Sequence, residues 1–320
     1  MTQSQPTVSV IIASYNGEKF LREQLDSILN QSYPISELII QDDCSTDSTA
    51  AICREYEAKF AIVHFYENEH NLGYNKNFET ATMRATGDYV ALSDQDDVWS
   101  KDKIAKQVAA IGHHDICTCE LCRGETPDKA LDEPDNNDIR PGTHLFRCLL
   151  GHSMLIRRAF AQEASHWQGA LYYDWSLTLH ADWNNGIARV NEVLVFHRSH
   201  PGSVTSNMQL KGKPLSKTAP IMYGPSYFRK MQQMPKYAPF YQYIKENTQA
   251  CKDENMKLQH KLSTLMLSKS ALGYLRLSFL CMVRRKEIYF PARKAEGVRG
   301  LIRGFFYPGI FAYYCYPNFE

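Results

Sequence analysis

Apolar residues run together at Val8–Ala13, Leu38–Ile40, Ile62–Tyr66 and Tyr89–Leu92, and recur at helical spacing between those runs. The first run, VSVIIA, is β-branched and unbroken, the pattern of a strand buried on both faces in a parallel sheet. SYNG then breaks it. Asn16 is placed to cap a helix that sets Phe20, Leu21, Leu25, Ile28 and Leu29 on one face. The second run passes straight into QDDCSTDST, where Ser45 or Thr46 is placed to cap a helix burying Ile52, Tyr56 and Phe60. The polar loop NEHNLGYNKN follows the third run, and a further helix puts Phe78, Ala81 and Ala85 on one side. Alternation of this kind predicts a parallel α/β sheet with right-handed crossovers. Ligands of such sheets bind at the carboxyl ends of the strands.

The alternation lapses near residue 113. RGETPDKALDEPDNNDIRPG is rich in turn formers and charge and reads as a loop or flap. FRCLLGHSMLIRRAF, YYDWSLTLHA and ARVNEVLVFHRSHPG read as strand, helix and strand that extend the first sheet. From about residue 211 Lys, Tyr, Met and Pro become frequent, with helical periodicity from Tyr237 to Met282. Three regions are therefore expected: an α/β half over 1–113, a second part of the same domain over 114–210, and a helical extension over 211–320.

Composition narrows the class. The 320 residues are 44% hydrophobic, enough for a large core, and the formal net charge of +1 gives no overall field for nucleic acid. MTQSQPTVSVIIASYN lacks a basic segment ahead of its short apolar run, so the chain is expected to work in the cytoplasm. Nine cysteines scattered through apolar segments fit reduced thiols better than a disulfide framework. HHDICTCELC tempts a zinc reading, but C-x-C-x-x-C is no standard finger. On a strand, Cys117 and Cys119 would simply share a face. No apolar run reaches the roughly 18 residues of a membrane helix; the longest approach, Leu272–Val283, carries Arg276.

Two acidic clusters stand at strand ends: Asp42–Asp43, and Asp94, Asp96 and Asp97 within SDQDDVW. No G-x-G-x-x-G or G-x-x-x-x-G-K-[ST] is present, so a phosphate ligand would need a metal to neutralise it. A D-x-D pair suits that task, because Mg²⁺ and Mn²⁺ take one or two carboxylates plus substrate phosphates. It suits a solvated turn as well, with Asp97 placed to cap a helix beginning near Ser100.

VSVIIASYNGEKFLREQLDSILNQSY, ELIIQDDCSTDSTA, NLGYNKNFETATMRATGDYVALSDQDDVW and the later YYDW follow in order. This succession resembles the family 2 glycosyltransferases of GT-A fold, closely over Thr7–Lys103 and more weakly to Thr205. SDQDDVW and HRSHPGS look like bacterial rhamnosyltransferase-type members that build surface polysaccharides. The resemblance implies a Rossmann-like, mostly parallel sheet flanked by helices. It implies inverting, metal-dependent transfer from a UDP- or dTDP-sugar to a glycan or lipid-linked glycan hydroxyl. Ala13 and Tyr15 would line the nucleotide pocket, and Asp43, beside Asp42, would accept a hydrogen bond from the base imide. Asn71, Gly73 and Asn77 match the loop before the fourth strand. Asp94 would lie near the ribose or sugar, and Asp96, with Asp94 and His200, would hold Mn²⁺ or Mg²⁺. Asp174, where many members carry Glu-Asp and this chain has Tyr173–Asp174, would be the catalytic base.

Other residues have two readings each. Trp175 and Tyr172 would wall the sugar or belong to the core, and Asp174 would also suit a helix N-cap. His197, Arg198 and His200 would reach the diphosphate or metal, or lie in a surface loop. The basic, aromatic 262–320 segment would lie on the inner face of the cytoplasmic membrane, or form a helical subdomain packing on the sheet or on a second subunit of a homo-oligomer. Two rival functions stand beside the main one: a sugar-phosphate nucleotidyltransferase, which would show a Gly-rich basic loop where this chain has ASYNGEKF, and a non-catalytic glycan-binding subunit.

Overall fold

The computed structural model describes residues 5–133, 140, 142–168, 172–201, 218–250, 253–289 and 292–319. Packing divides the chain into two units. One comprises Met1–Asn137, Leu149–Gln168 and Tyr172–Ser199, and the other Asp138–Cys148, Gly169–Leu171 and His200–Glu320. The first two expected regions thus share one sheet, while residues 142–148 belong with the C-terminal helices.

In the first unit the strands are β1 Val8–Ser14, β2 Glu37–Asp42, β3 Val63–Glu67, β4 Tyr89–Ser93, β5 Val98–Trp99, β6 Ile116–Gly124, β7 Leu131–Glu133, β8 Leu155–Arg157 and β9 Ile187–Arg198. They form a nine-stranded sheet in the order β3-β2-β1-β4-β8-β6-β9-β5, with β7 on β6. β3, β2, β1 and β4 pair in parallel, and β8 runs against both β4 and β6. β9 is parallel to β6 and β5 runs against β9, so six of the nine strands point one way. The expected mostly parallel sheet is present. Its helices are α1 Leu21–Leu29, α2 Thr49–Lys59, α3 Tyr74–Thr82, α4 Lys103–Ala110, α5 Arg158–Ala161 and α6 Tyr173–Trp183.

The periodicity argument holds at the core. Leu21, Leu25 and Ile28 of α1 and Ile52 and Tyr56 of α2 are buried with Val8, Ile12, Leu38 and Ile40. Each such side chain contributes about 1.5–3 kcal/mol. Caps are where local reading failed. α1 starts at Leu21 with Phe20 at its N-cap. Asn16 instead takes a left-handed conformation (φ 49°) and its Oδ1 accepts from the Thr46 N–H at 2.8 Å. α2 is capped at Ser48, and Asp47 closes the preceding turn by accepting from the Thr49 N–H at 2.9 Å. α4 begins at Lys103, with Asp102 at its N-cap and no side-chain cap, so Asp97 caps nothing. Part of the expected flap is structured, because β6 runs to Gly124 and β7 pairs back on it. The rest, 134–139 and 141, lies outside the described residues, as does the chain beyond Pro201 toward Thr205.

The second unit is helical: α7 Ala219–Met231, α8 Tyr237–Asn247, α9 Glu254–Met266, α10 Ala271–Val283, α11 Arg285–Ile288 and α12 Gly297–Cys315. Asp253 and Ser270 cap α9 and α10 by accepting from Met256 and Gly273 N–H groups. Tyr237, Phe240, Tyr241 and Phe319 pack together, and the buried hydroxyls of Tyr237 and Tyr241 donate to the Met266 and Leu145 carbonyls. α7 and α12 meet at Gly224 and Gly309, where a Cβ on either would come within 2.8–2.9 Å of the other backbone. No helix among the described residues is long and apolar enough to cross a membrane.

Candidate active site

Sheet register explains how the site assembles. β8 runs against β4 with Ala91 opposite Leu155, and the Leu92 N–H donates to the Met154 carbonyl at 3.3 Å. Continuing past the strand end brings Asp94 level with His152. β5 runs against β9 with Val98 opposite Phe196. One step further, Asp97 meets His197. Two histidines remote in sequence thus face two carboxylates of SDQDDVW.

The resulting cluster is tight. His152 Nδ1 lies 2.8 Å from Asp94 Oδ2 and 3.1 Å from Asp97 Oδ2, and His197 Nδ1 lies 3.0 Å from Asp97 Oδ1. The two imidazole rings are 4.7 Å apart. Asp97 is 0% exposed and His152 and His197 are 3% and 5% exposed, whereas the Asp94 side chain keeps 36% of its surface open. Burial pushes the Asp97 carboxyl up, but the His152 and His197 imidazoles outweigh it and hold the group below the usual carboxylate range. Burial likewise lowers His152, yet the Asp97 and Asp94 carboxylates carry it up to about 9. At neutral pH the His152 imidazolium therefore relieves the repulsion within SDQDD.

The donor set also fits a metal. Asp94, Asp97, His152 and His197 each present a ligand atom, all within 4.8 Å of one another. Asp96 is half-buried on the same loop. His200 falls in the second unit. HHDICTCELC contributes nothing to this group. Cys117 and Cys119 are buried, with burial lifting their thiols to about 12 and 11, and His113 stacks on His114.

Arg198 differs from its expected role at a diphosphate. Its Nε donates to the Asp96 carbonyl at 2.9 Å, Nη1 to the Glu125 carbonyl at 3.2 Å and Nη2 to Glu23 at 2.6 Å, and it is 5% exposed. It braces the loop from behind. Gln95 braces it from the front, with its amide accepting from the Tyr15 N–H and donating to the Tyr15 carbonyl, both at 2.9 Å. The ends of β1 and β4 are clasped together in this way, and a Cβ on Gly17 would lie 2.2 Å from Gln95 Oε1. Ala13 is half-buried beside the clasp, and Tyr15 is 50% exposed.

The other acidic cluster is held by neutral protein donors. Asp42 accepts from Ser14 Oγ, Ser45 Oγ and the Ser45 N–H at 2.6–2.8 Å and is 0% exposed, so it fixes the loop after β2 from inside and reaches no solvent. Asp43 accepts from Asn68 Nδ2 and the Leu72 and Gly73 N–H groups at 2.7–2.8 Å. Oδ2 takes only one of these bonds and keeps acceptor capacity. Asn71 donates to the Asp43 carbonyl at 3.0 Å, and Asn77 donates to the Gln41 carbonyl while accepting from Asn68. Both asparagines hold the loop. Gly73 has φ +76°, the conformation that calls for glycine, with open space where a Cβ would stand.

Asp174 lies in the first turn of α6, after Tyr172 at the N-cap, so it is not itself the cap. It is half-buried, accepts from the Trp175 N–H at 2.8 Å, and sits where the helix dipole favours a carboxylate. Tyr173 packs on Phe78 with ring centroids 4.5 Å apart, and its hydroxyl fills the space beside Gly151, the residue before His152. Trp175 is 3% exposed and belongs to the core, while Tyr172 faces Tyr74 with ring centroids 6.2 Å apart. Sequence reasoning passed over His152, Gln95 and Lys103. Lys103 is 0% exposed, with its Nζ 3.7 Å over the Trp99 ring and no hydrogen-bond partner.

Residues 9–162 match the model of glycosyl transferase family 2. The chain is 44% identical over 108 residues to TuaG of Bacillus subtilis, named as a teichuronic acid biosynthesis glycosyltransferase, covering 34% of this chain and 43% of TuaG. It is 37% identical over 102 residues to the dTDP-rhamnosyl transferase RfbG of Shigella flexneri, covering 30% of this chain and 35% of RfbG. The chain therefore spans less than half the length of either relative. The crystal structure of S. aureus TarS 1–349 in complex with UDP-GlcNAc superposes with a TM-score of 0.54 at 17% identity, covering 93% of this chain and 89% of that one. The fold is the GT-A arrangement.

Proposed function

We propose that the protein is an inverting, metal-dependent glycosyltransferase that moves a sugar from a UDP- or dTDP-linked donor to a glycan or lipid-linked glycan hydroxyl in surface-polysaccharide synthesis. The observation that carries this reading is the convergence of Asp94 and Asp97 with His152 and His197 at the carboxyl end of β4, in a family 2 domain. RfbG is named for a dTDP-sugar and TarS holds a UDP-sugar, which supports the donor class. Asp43 Oδ2 retains acceptor capacity that a base imide would use, and Ala13 and Tyr15 lie at the end of β1.

Asp94, Asp97, His152 and His197 are the donors that would hold the ion, with Asp96 as a further candidate from the resemblance. Two imidazole nitrogens favour Mn²⁺ over Mg²⁺. When bound, the metal offsets negative charge on the departing diphosphate. Asp174 is the proposed base. It takes the acceptor hydroxyl proton as that oxygen bonds to the anomeric carbon and the bond to the diphosphate breaks on the opposite face. Inversion follows from this geometry, and no covalent enzyme intermediate is needed.

A thermal-shift screen of nucleotide sugars with and without Mn²⁺ tests donor and metal together. A metal-dependent rise in Tm with a UDP- or dTDP-sugar is expected. No shift with any nucleotide sugar, or a response only to a nucleoside triphosphate with a sugar phosphate, would overturn the reading.

A further inference from the structure

The near-neutral total charge conceals segregation. Residues 255–319 hold eleven Lys or Arg against two Asp or Glu, while the rest of the chain holds 25 against 33. Between Glu254 and Glu287 there is no acidic residue at all. Within this basic segment, α10 has the sequence ALGYLRLSFLCMV, apolar on every side apart from Arg276. A helix apolar all round belongs in a core or against lipid.

α10 satisfies only one side in the protein. Gly273, Leu277, Ser278 and Cys281 are buried against the rest of the helical unit. Leu272, Leu275, Phe279 and Val283 are 57%, 53%, 59% and 53% exposed. These four follow at spacings of three, four and four residues, so they form one straight stripe along the helix. Exposed Arg276 lies beside it, with exposed Lys269 before the helix and exposed Lys286 after it. Scattered exposed apolar residues are ordinary, but an aligned set of four bulky ones marks a contact surface.

We propose that the Leu272–Leu275–Phe279–Val283 face of α10 docks on the surface of an anionic lipid bilayer, with the stripe in the acyl boundary and Lys269, Arg276 and Lys286 at the headgroups. Charge selects this occupant. A second copy of the chain seated on the same face would bring Arg276 and its basic neighbours against their own like charges, whereas anionic headgroups complement them. α10 is too short to span the bilayer, so the contact is interfacial. This inference does not rest on the transferase reading.

Vesicle sedimentation with the full chain tests it, using phosphatidylcholine vesicles with and without phosphatidylglycerol. Wild type is expected to pellet with the anionic vesicles and far less with the neutral ones. Leu275→Ser/Phe279→Ser should lower the partition coefficient on the order of tenfold, with circular dichroism and Tm unchanged because both residues are exposed. Arg276→Gln should weaken anionic binding alone. Equal supernatant recovery of wild type with and without anionic vesicles would overturn the proposal. So would unchanged binding by the double variant, or a dimer in light scattering that the double variant dissolves.

Discussion

Asp42–Asp43 and Asp94–Asp97 both follow strands of the same parallel set, yet they handle crowded negative charge in opposite ways. The first pair is quenched by hydroxyl, amide and main-chain donors supplied by its own and neighbouring loops. The second relies on ionisable partners, two imidazoles brought in by sheet register from β9 and from the turn before β8. Neutral donors fix an acid in place and keep it there under all conditions. Ionisable partners leave a site whose charge a cation can replace. An acid cluster is thus a scaffold or a reaction site according to what balances it, a distinction invisible in the acids themselves.

The contrast predicts different failures. The largest expected effect is at Asp174, an acid outside both clusters. Asp174→Asn should lower kcat about 10²–10⁴-fold while leaving donor binding and Tm in place; near-normal turnover removes it as the base. Asp97→Ala comes next. It leaves the buried His197 imidazole without its carboxylate and His152 with Asp94 alone, and urea denaturation should show a loss of about 3–5 kcal/mol, together with loss of Mn²⁺ binding by calorimetry. An unchanged metal titration would move the ion elsewhere. Asp42→Asn should cost about 1–3 kcal/mol yet leave the Mn²⁺ affinity alone. If metal binding weakens in step, the two clusters are not separate devices.

Lys103 gives a smaller, pH-dependent effect. Burial lowers its ammonium from the ordinary 10.5 to about 8. The unfolded chain therefore binds more protons between those values, and wild-type stability gains as pH rises from about 8 toward 10.5. Lys103→Met should stabilise by on the order of 1–2 kcal/mol at pH 7, and its advantage should shrink by pH 10. A pH-independent difference refutes the buried-charge account. Smallest is Gly73→Ala, which forces a Cβ into φ +76°. It should cost about 1 kcal/mol and loosen the loop that quenches Asp43, seen as a modest rise in donor KM.

Much of the α/β half was legible because its cause is local. VSVIIA and the Leu21–Leu25–Ile28 spacing announce a buried strand and its covering helix; β1 formed within a residue of expectation, and α1 kept its expected buried face although it starts after Phe20 rather than after Asn16. Both acidic clusters could be read as candidates for the same reason, whereas Asp174 stood out only through the family resemblance of YYDW. His152 could not. Its role depends on β8 running against β4, a pairing between segments about 60 residues apart that no spacing reveals. Asp97 looked like a cap because SDQDDVW precedes a helix, and only the β5–β9 pairing shows it turned inward. The Cys117–Cys119 strand was correctly suspected of packing, since period-two burial needs no partner to be recognised.

The Gln95 clasp carries a consequence for how this sequence can change over time. Gly17 has no side chain because the Gln95 amide occupies that space, and Gln95 is held by the main chain of Tyr15 rather than by any replaceable group. Neither position can drift alone. A larger residue at 17 expels the amide, and a shorter one at 95 leaves a gap between the two strand ends. Positions 17 and 95 should therefore be inherited as a pair across related chains, one varying only where the other has already yielded.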